Sequence, residues 1–282
     1  MRYNILMPNC SGLRKLSDKE LKAKLVETLA AFDKLCTKYK IKYSLIGGSL
    51  IGVIRHKGII PWDDDIDVIM AADELKKLQA AAKKENSKRF KLLTPNINGN
   101  FYPFAKFVST DTIVDEYQQK PIPDYGVFID IFTYHYFYDD KKRQEQFFKK
   151  YMRLHTGIYT TNAKHSAWPR NPKYRIKYIK YNMLPWVNYT QKMLELYDSL
   201  PQKPTKYMIS NDPTYGLEHD VIPTEWTKEF IRKKFEGIDV SVYKHYDEIL
   251  RVVFGDYMQL PPKEKQVTHH TYNAYYKEVN NG

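Results

Sequence analysis

Apolar positions in the first half of the chain follow a helical period first and a strand period afterwards. Behind the capping-box sequence Ser17-Asp18-Lys19-Glu20, apolar residues recur every three or four positions, which predicts an amphipathic helix ending near Lys40. Short apolar or β-rich runs predict strands at 42–46, 66–70, 90–94, 102–108, 112–117 and 127–134, with a helix at 73–84. Strands mixed with helices in this way indicate an α+β fold with a mixed sheet flanked by helices.

The character of the sequence changes near Asp139. The following sixty or so residues are basic, rich in tyrosine and helical in pattern. Two further helices are predicted later, at 226–235 and 242–254. We therefore expect two parts packed on each other, a mixed-sheet core at 1–138 and a mostly helical part at 139–282.

The charge balance narrows the possible partners. The 282 residues include 45 Lys and Arg against 33 Asp and Glu, a net charge of +12. Such a surplus favours polyanions: nucleic acid, an anionic membrane surface or a phosphate-rich substrate. A non-catalytic polyanion-binding protein is one alternative, because the Lys- and Tyr-rich stretch 141–192 would suit single-stranded nucleic acid.

Cysteine content and hydropathy bear on the compartment. Cys10 and Cys36 are too few for a disulfide framework or a zinc ribbon, and Cys36 falls on the apolar stripe of the first helix. The sequence lacks the apolar core of a signal peptide and any apolar run near the roughly 20 residues that span a bilayer. A cytoplasmic protein is expected, with peripheral contact to the inner face of the membrane left open.

The segment Pro61-Trp62-Asp63-Asp64-Asp65-Ile66-Asp67-Val68 places four carboxylates within five positions. In a strand, Asp65 and Asp67 would share one face, and two such carboxylates suit Mg²⁺. An acidic surface turn is the plain alternative, although it does not account for the apolar residues on both sides. A calcium loop is another, but Val68 stands where that loop needs glycine. The negative charge of this acidic cluster would also oppose the binding of nucleic acid, so no nucleic-acid partner is expected.

A single acidic residue, Asp130, interrupts the continuously apolar strand at 127–134. Burying an unpaired carboxylate is costly, so Asp130 needs a metal, an arginine or lysine, or a set of backbone amides. A purely structural salt bridge remains an alternative. Together with Asp65 and Asp67, Asp130 would complete the carboxylates of a two-metal phosphoryl-transfer site.

A possible phosphate-binding turn precedes the acidic run. Gly47-Gly48-Ser49 lies between a predicted strand and a short helix, where backbone amides can receive a phosphate. Arg55 could grip a diphosphate with two hydrogen bonds, and Lys57 adds positive charge. For His56, a structural role in a turn is as plausible as a catalytic one.

These motifs together resemble one family. The run 47–67 closely resembles the signature of the LicD family, which contains bacterial phosphocholine transferases and is related to the animal fukutin proteins. The segment 128–132 is similar to the family's second acidic strand, and Phe235-Glu236-Gly237 and 255–262 are similar to its C-terminal signatures. Members often carry proline where this chain has Thr133-Tyr134, which we expect to alter the local turn only.

The resemblance implies a nucleotidyltransferase-like fold in which Asp65, Asp67 and Asp130 are catalytic and bind Mg²⁺ or Mn²⁺. It also implies a CDP-alcohol donor, often CDP-choline, and a glycan or glycolipid acceptor such as a teichoic acid precursor. On this basis we expect 1–138 to be the catalytic core and 139–282 to bind acceptor and donor. We assign the surplus of positive charge to acceptor and surface docking. The donor phosphates would lie against residues of the turn and the short helix: Gly47, Gly48, Ser49, Arg55 and His56. Asp63 and Asp64 would orient ligands or water from outside. Transfer of a nucleotide by the same fold is the nearest alternative.

Overall fold

The computed structural model describes residues 10–268 and 271–277. Its first helix, α1 (Asp18–Lys38), begins at the predicted capping box, in which Ser17 and Glu20 bond each other's backbone amides. The apolar stripe of α1 is buried, and Cys36 lies within it as predicted. The helix packs on the sheet through Phe32, whose ring meets those of Tyr43 and Phe107 edge-on.

The strands are β1 (Ser44–Leu45), β2 (Asp67–Ala71), β3 (Phe90–Leu93), β4 (Ala105–Ser109), β5 (Thr112–Glu116), β6 (Phe128–Phe137), β7 (Tyr207–Ser210), β8 (Val221–Pro223), β9 (Phe230–Phe235), β10 (Ile238–Tyr243) and β11 (Tyr272–Tyr276). The main sheet has the order β1-β2-β6-β4-β3, and its central strand β6 also pairs with β7, which pairs with β8. Strand β2 runs parallel to β6, whereas the other pairings in this sheet are antiparallel.

Helices flank this sheet and confirm the predicted α+β class. They are α2 (Gly47–Ile51), which continues into a π-helical turn (Gly52–His56), α3 (Ala72–Glu85), α4 (Lys141–Thr161), α5 (Pro172–Asn182), α6 (Tyr189–Asp198), α7 (Leu217–Asp220) and α8 (Tyr246–Phe254). The region from Lys141 to Asp198 is mostly helical, as predicted, with breaks between α4, α5 and α6. Strand β7 then returns to the central sheet, so both parts of the chain share one core. The boundary at residue 138 stays a prediction.

The prediction of a helix at 226–235 is wrong, because β9 occupies Phe230–Phe235 and forms a hairpin with β10. The two-residue turn between them, Glu236-Gly237, has positive φ at both positions, the backbone that a tight hairpin needs. The helix predicted at 242–254 starts later, at Tyr246. The local turn expected at Thr133-Tyr134 is also absent, since β6 continues through both residues to pair with β7.

Among residues 10–268 and 271–277, no helix combines the length and the apolar character that crossing a bilayer would require.

Candidate active site

Three charged residues lie in a row across the centre of the main sheet. Asp67 on β2 is the register partner of Asp130 on β6, and Lys106 on β4 is the partner of Asp130 from the other side. Cross-strand partners share one face of a sheet, so the three side chains are neighbours. Two of the predicted carboxylates, Asp67 and Asp130, are thus adjacent. Lys106, which flanks Asp130 on the β4 side, was not among the predicted site residues.

Lys106 is held almost without exposure to solvent. Its ammonium nitrogen donates to Asp130 Oδ1 at 2.6 Å, and its side chain is 2% exposed. Four aromatic rings surround the ammonium with centroids between 4.0 and 5.2 Å away: Tyr102, Phe104, Tyr125 and Phe128. Such rings stabilise a buried cation through their faces. The salt bridge left open as an alternative for Asp130 is therefore present, and it occupies one of that residue's two oxygens.

The acidic run lies mostly ahead of β2, which begins only at Asp67. Strand alternation therefore does not place Asp65, which belongs to the preceding loop. One carboxylate oxygen from each of Asp63, Asp64 and Asp65 lies within 4.8 Å of the others, close enough to hold one metal ion. The residues predicted to orient ligands from outside are thus grouped with Asp65, while Asp67 and Asp130 form the adjacent pair.

Burial and mutual repulsion both disfavour charge on these groups. Burial, followed by the charge of Asp67, raises the pKa of Asp65 well above its usual range. Burial and Asp130 do the same to the pKa of Asp67. Burial raises the pKa of Asp130 to about 6 even though Lys106 opposes the change. A hard divalent cation with oxygen ligands would relieve this repulsion, so the donor set fits Mg²⁺ or Mn²⁺.

The Gly-Gly-Ser turn lies directly against the carboxylates. Gly47 has a φ of +57°, and a Cβ built on Gly48 would approach Asp63 Oδ2 to 2.5 Å. Larger residues would therefore disturb the acidic cluster itself. Ser49 is buried, and its hydroxyl accepts a hydrogen bond from the Asp67 amide at 2.9 Å. In this arrangement the serine fixes the start of β2.

Arg55 lies at the end of the π-helical turn and braces the C-terminal segment. Its Nη1 donates to the carbonyl oxygens of Tyr257 at 2.6 Å and Gln259 at 3.1 Å. The next residue, His56, packs edge-on against Trp62, and burial together with the charge of Arg55 lowers its pKa. The predicted phosphate contacts of both residues stay predictions.

Two further contacts from the C-terminal part reach the segment that leads to the acidic run. Glu236 in the β9–β10 turn accepts a hydrogen bond from the Ile59 amide at 2.9 Å. Tyr272 on β11 donates its hydroxyl hydrogen to the carbonyl oxygen of Asp64 at 2.7 Å. These contacts tie the C-terminal part of the chain to the segment around the acidic run. The acidic run does not form the calcium loop considered above. Glu74, which would be the twelfth residue of that loop, lies in α3 and accepts a hydrogen bond from the Lys42 amide.

Sequence reasoning also missed Asp212 and Tyr215. Asn211 extends the β6–β7 pairing by bonding both backbone groups of Thr133, which fixes the position of Asp212. Asp212 accepts a hydrogen bond from Tyr151 at 2.6 Å, and its charge raises the pKa of both Asp67 and Asp130. Tyr215 is 54% exposed, and its pKa is raised by burial and by the acidic cluster.

Comparison with known proteins places this site in a family context. Residues 40–155 match the family described as LicD/FKTN/FKRP, nucleotidyltransferase domain. The chain is 32% identical over 273 residues to the lipopolysaccharide cholinephosphotransferase LicD of Haemophilus influenzae, covering 93% of this chain and 99% of that protein. Shorter matches are an uncharacterised protein of Rickettsia typhi, 42% identical over 22% of this chain and 20% of its own, and one of Rickettsia prowazekii, 54% identical over 15% and 16%.

Proposed function

The chain belongs to the LicD family of transferases, and from this premise we propose that it transfers phosphocholine, or a similar phospho-alcohol, from a CDP-activated donor to a sugar of a cell-surface glycan precursor. The full-length relative from Haemophilus influenzae is named for cholinephosphate transfer to lipopolysaccharide. The observation that carries the proposal is the half-buried carboxylate cluster against a glycine turn, because such a cluster suits a metal-bound diphosphate.

In the proposed mechanism, Asp65 and Asp67, with Asp63 and Asp64 beside them, hold Mg²⁺ or Mn²⁺. The metal supplies charge neutralisation for the phosphate oxygens. We predict that the amides of Gly47 and Gly48 face the donor diphosphate and that Ser49, Arg55 and His56 bind its phosphates.

At phosphorus, one bond breaks and one forms, and the acceptor hydroxyl proton moves to a base. The acceptor hydroxyl oxygen attacks the phosphorus distal to the nucleoside, the bond from that phosphorus to the CMP oxygen breaks, and CMP leaves. The free oxygen of Asp130 takes the hydroxyl proton, while Lys106 holds the other oxygen. Nucleotide transfer is the second candidate, because the matching family model is described as a nucleotidyltransferase domain. In that reaction the proximal phosphorus would be attacked.

The test is to incubate the purified protein with Mg²⁺, a glycolipid acceptor and a panel of CDP-choline, CDP-ethanolamine and CDP-ribitol. Release of CMP with the alcohol phosphate on the acceptor supports the proposal, whereas acceptor-bound CMP supports nucleotide transfer. Asp65→Asn and Asp67→Asn should each lower turnover by at least about a hundredfold, in the range typical of lost metal-site groups. Asp73→Asn, an exposed acidic residue on α3, is the matched control and should retain activity. Near-normal turnover in Asp65→Asn would contradict the metal assignment.

A further inference from the structure

Helix α5 presents an apolar strip to solvent on the side away from the protein. Ile176 is 67% exposed and Met183, which follows the helix, is 69% exposed, with Ile179 between them also exposed. These three positions are spaced three and four residues apart, so they share one face. Just beyond, Trp186 is 74% exposed. Apolar side chains grouped in this way mark a surface that another phase or molecule covers.

The opposite face of α5 is the one that packs on the protein. Tyr181 donates to the carbonyl oxygen of Arg153 on α4 at 3.3 Å, and its ring meets that of Tyr189 edge-on. Asn182 donates to the carbonyl oxygen of Thr160 at 3.3 Å. With one side anchored to α4 and α6, the helix cannot turn its apolar strip inward.

Basic residues border the apolar strip on both sides. At 100° per residue, Lys177 and Lys180 lie on one side of it and Arg175 on the other. All three are exposed, and within the described residues none of them forms an ion pair with an acidic side chain. Between Glu145 and Glu195 the sequence contains ten Lys and Arg and no Asp or Glu. The surface is therefore complementary to a dense negative charge.

We propose that this face of α5, together with Trp186, is a docking surface for an anionic lipid membrane. An interfacial helix inserts an apolar strip below the headgroups while flanking lysines and arginines contact anionic lipid, and tryptophan settles at the boundary. A nucleic acid would use the charges but leaves the isoleucines and methionine unexplained. The inference is independent of the proposed reaction, since it concerns binding to lipid without any donor.

The experiment is flotation of the intact protein with vesicles of phosphatidylcholine, alone or mixed with phosphatidylglycerol. Wild type should float with the mixed vesicles and remain behind with pure phosphatidylcholine. The variant I176S/I179S/M183S should lose at least tenfold in partitioning at any salt concentration. The variant R175Q/K177Q/K180Q should lose roughly fivefold per removed charge, and only at low salt.

The matched control is I97S/V267S, which removes two equally exposed apolar side chains elsewhere and should float like wild type. Circular dichroism and melting temperature show whether each variant is folded, as expected for exposed positions. Failure of wild type to bind mixed vesicles would overturn the proposal, and so would normal flotation of the serine variant. A wild-type dimer that the serine variant converts to a monomer, without vesicle binding, would assign the face to a second copy instead.

Discussion

Asp130 both pairs with a buried lysine and faces Asp67, so its structural and chemical roles can be separated by a double substitution. Asp130→Asn leaves Lys106 buried without its partner and should lose activity by orders of magnitude and stability by about 3–5 kcal/mol. Adding Lys106→Met removes the leftover charge and should restore much of the melting temperature but none of the turnover. Turnover and melting temperature are measured on the same preparation of each variant.

The control for this pair is the exposed ion pair of Lys91 and Asp124, at 3.0 Å. The double variant Lys91→Met/Asp124→Asn should change neither turnover nor melting temperature appreciably, because exposed ion pairs contribute little to stability. Recovery of turnover in the buried double variant would show that Asp130 serves only the fold.

Tyr215 offers an exposed ring at the edge of the acidic cluster, where a base or sugar of the donor could stack. Tyr215→Ala should raise the KM for the CDP-alcohol about tenfold with little change in kcat, as expected for a lost stacking contact. The measurement is steady-state kinetics with varied donor. Tyr174→Ala, an equally exposed tyrosine on α5, should leave the donor KM unchanged. A fall in kcat alone would remove Tyr215 from donor binding.

At the residue scale, the sequence predicts the acidic groups well and their partners poorly. Asp65, Asp67 and Asp130 stand out because charged residues interrupt apolar runs. The same argument applied to Lys106, a lone charge in the apolar strand at 102–108, would have found it. Asp212 carries no such signal, since an Asn-Asp-Pro sequence after a strand has the composition of an ordinary turn. Only the β6–β7 register brings it to the site.

At the scale of elements, the π-helical turn and the C-terminal segment act as one unit through Arg55. Arg55→Lys keeps the charge on a shorter side chain that falls short of the Nη1 position, so we expect weaker contacts with both carbonyl oxygens and a melting temperature lower by a few degrees. If the guanidinium also grips the donor diphosphate, the donor KM should rise as well. Thermal unfolding and donor kinetics together decide between the two roles, and an unchanged melting temperature would contradict the bracing role.

The hairpin of β9 and β10 shows why some elements escape sequence-based prediction. Its first strand reads Phe-Ile-Arg-Lys-Lys-Phe, in which helical and strand periods fit equally well over so few residues. The turn residue Glu236 is not one of the usual hairpin residues, because its side chain is used to hold the Ile59 amide. The hydrogen bond between Glu236 and the Ile59 amide therefore ties the turn to the site and also makes the turn hard to predict from sequence.

For the whole molecule, the crowded carboxylates predict a pH-dependent effect of metal on stability. When a chelator removes the metal, the folded protein keeps protons on these carboxyls at pH values where the unfolded chain has already lost them. The protonated carboxyls therefore contribute to stability at low pH. That stability is lost as the pH rises from about 4 through the folded pKa, which is about 6 for Asp130. Mg²⁺ should therefore raise the melting temperature by about 5 °C above pH 7 and by little below pH 5.

Melting curves with Mg²⁺ and with chelator across this pH range measure the difference directly, which cancels groups that titrate outside the site. Asp65→Asn should flatten the dependence, since it removes one member of the cluster. A metal effect that is equal at all pH values would mean that the carboxylates do not hold the ion.

The contact between Tyr272 and Asp64 joins residues 208 positions apart. On a ribosome that adds about 5–20 residues per second, the acidic loop would leave the tunnel roughly 10–40 s before the strand that fixes it. During that interval the nascent chain carries its carboxylates without their last brace, and donor turnover should be absent from chains arrested before β11. Donor turnover would thus begin only after β11 has been synthesised and has paired with β5.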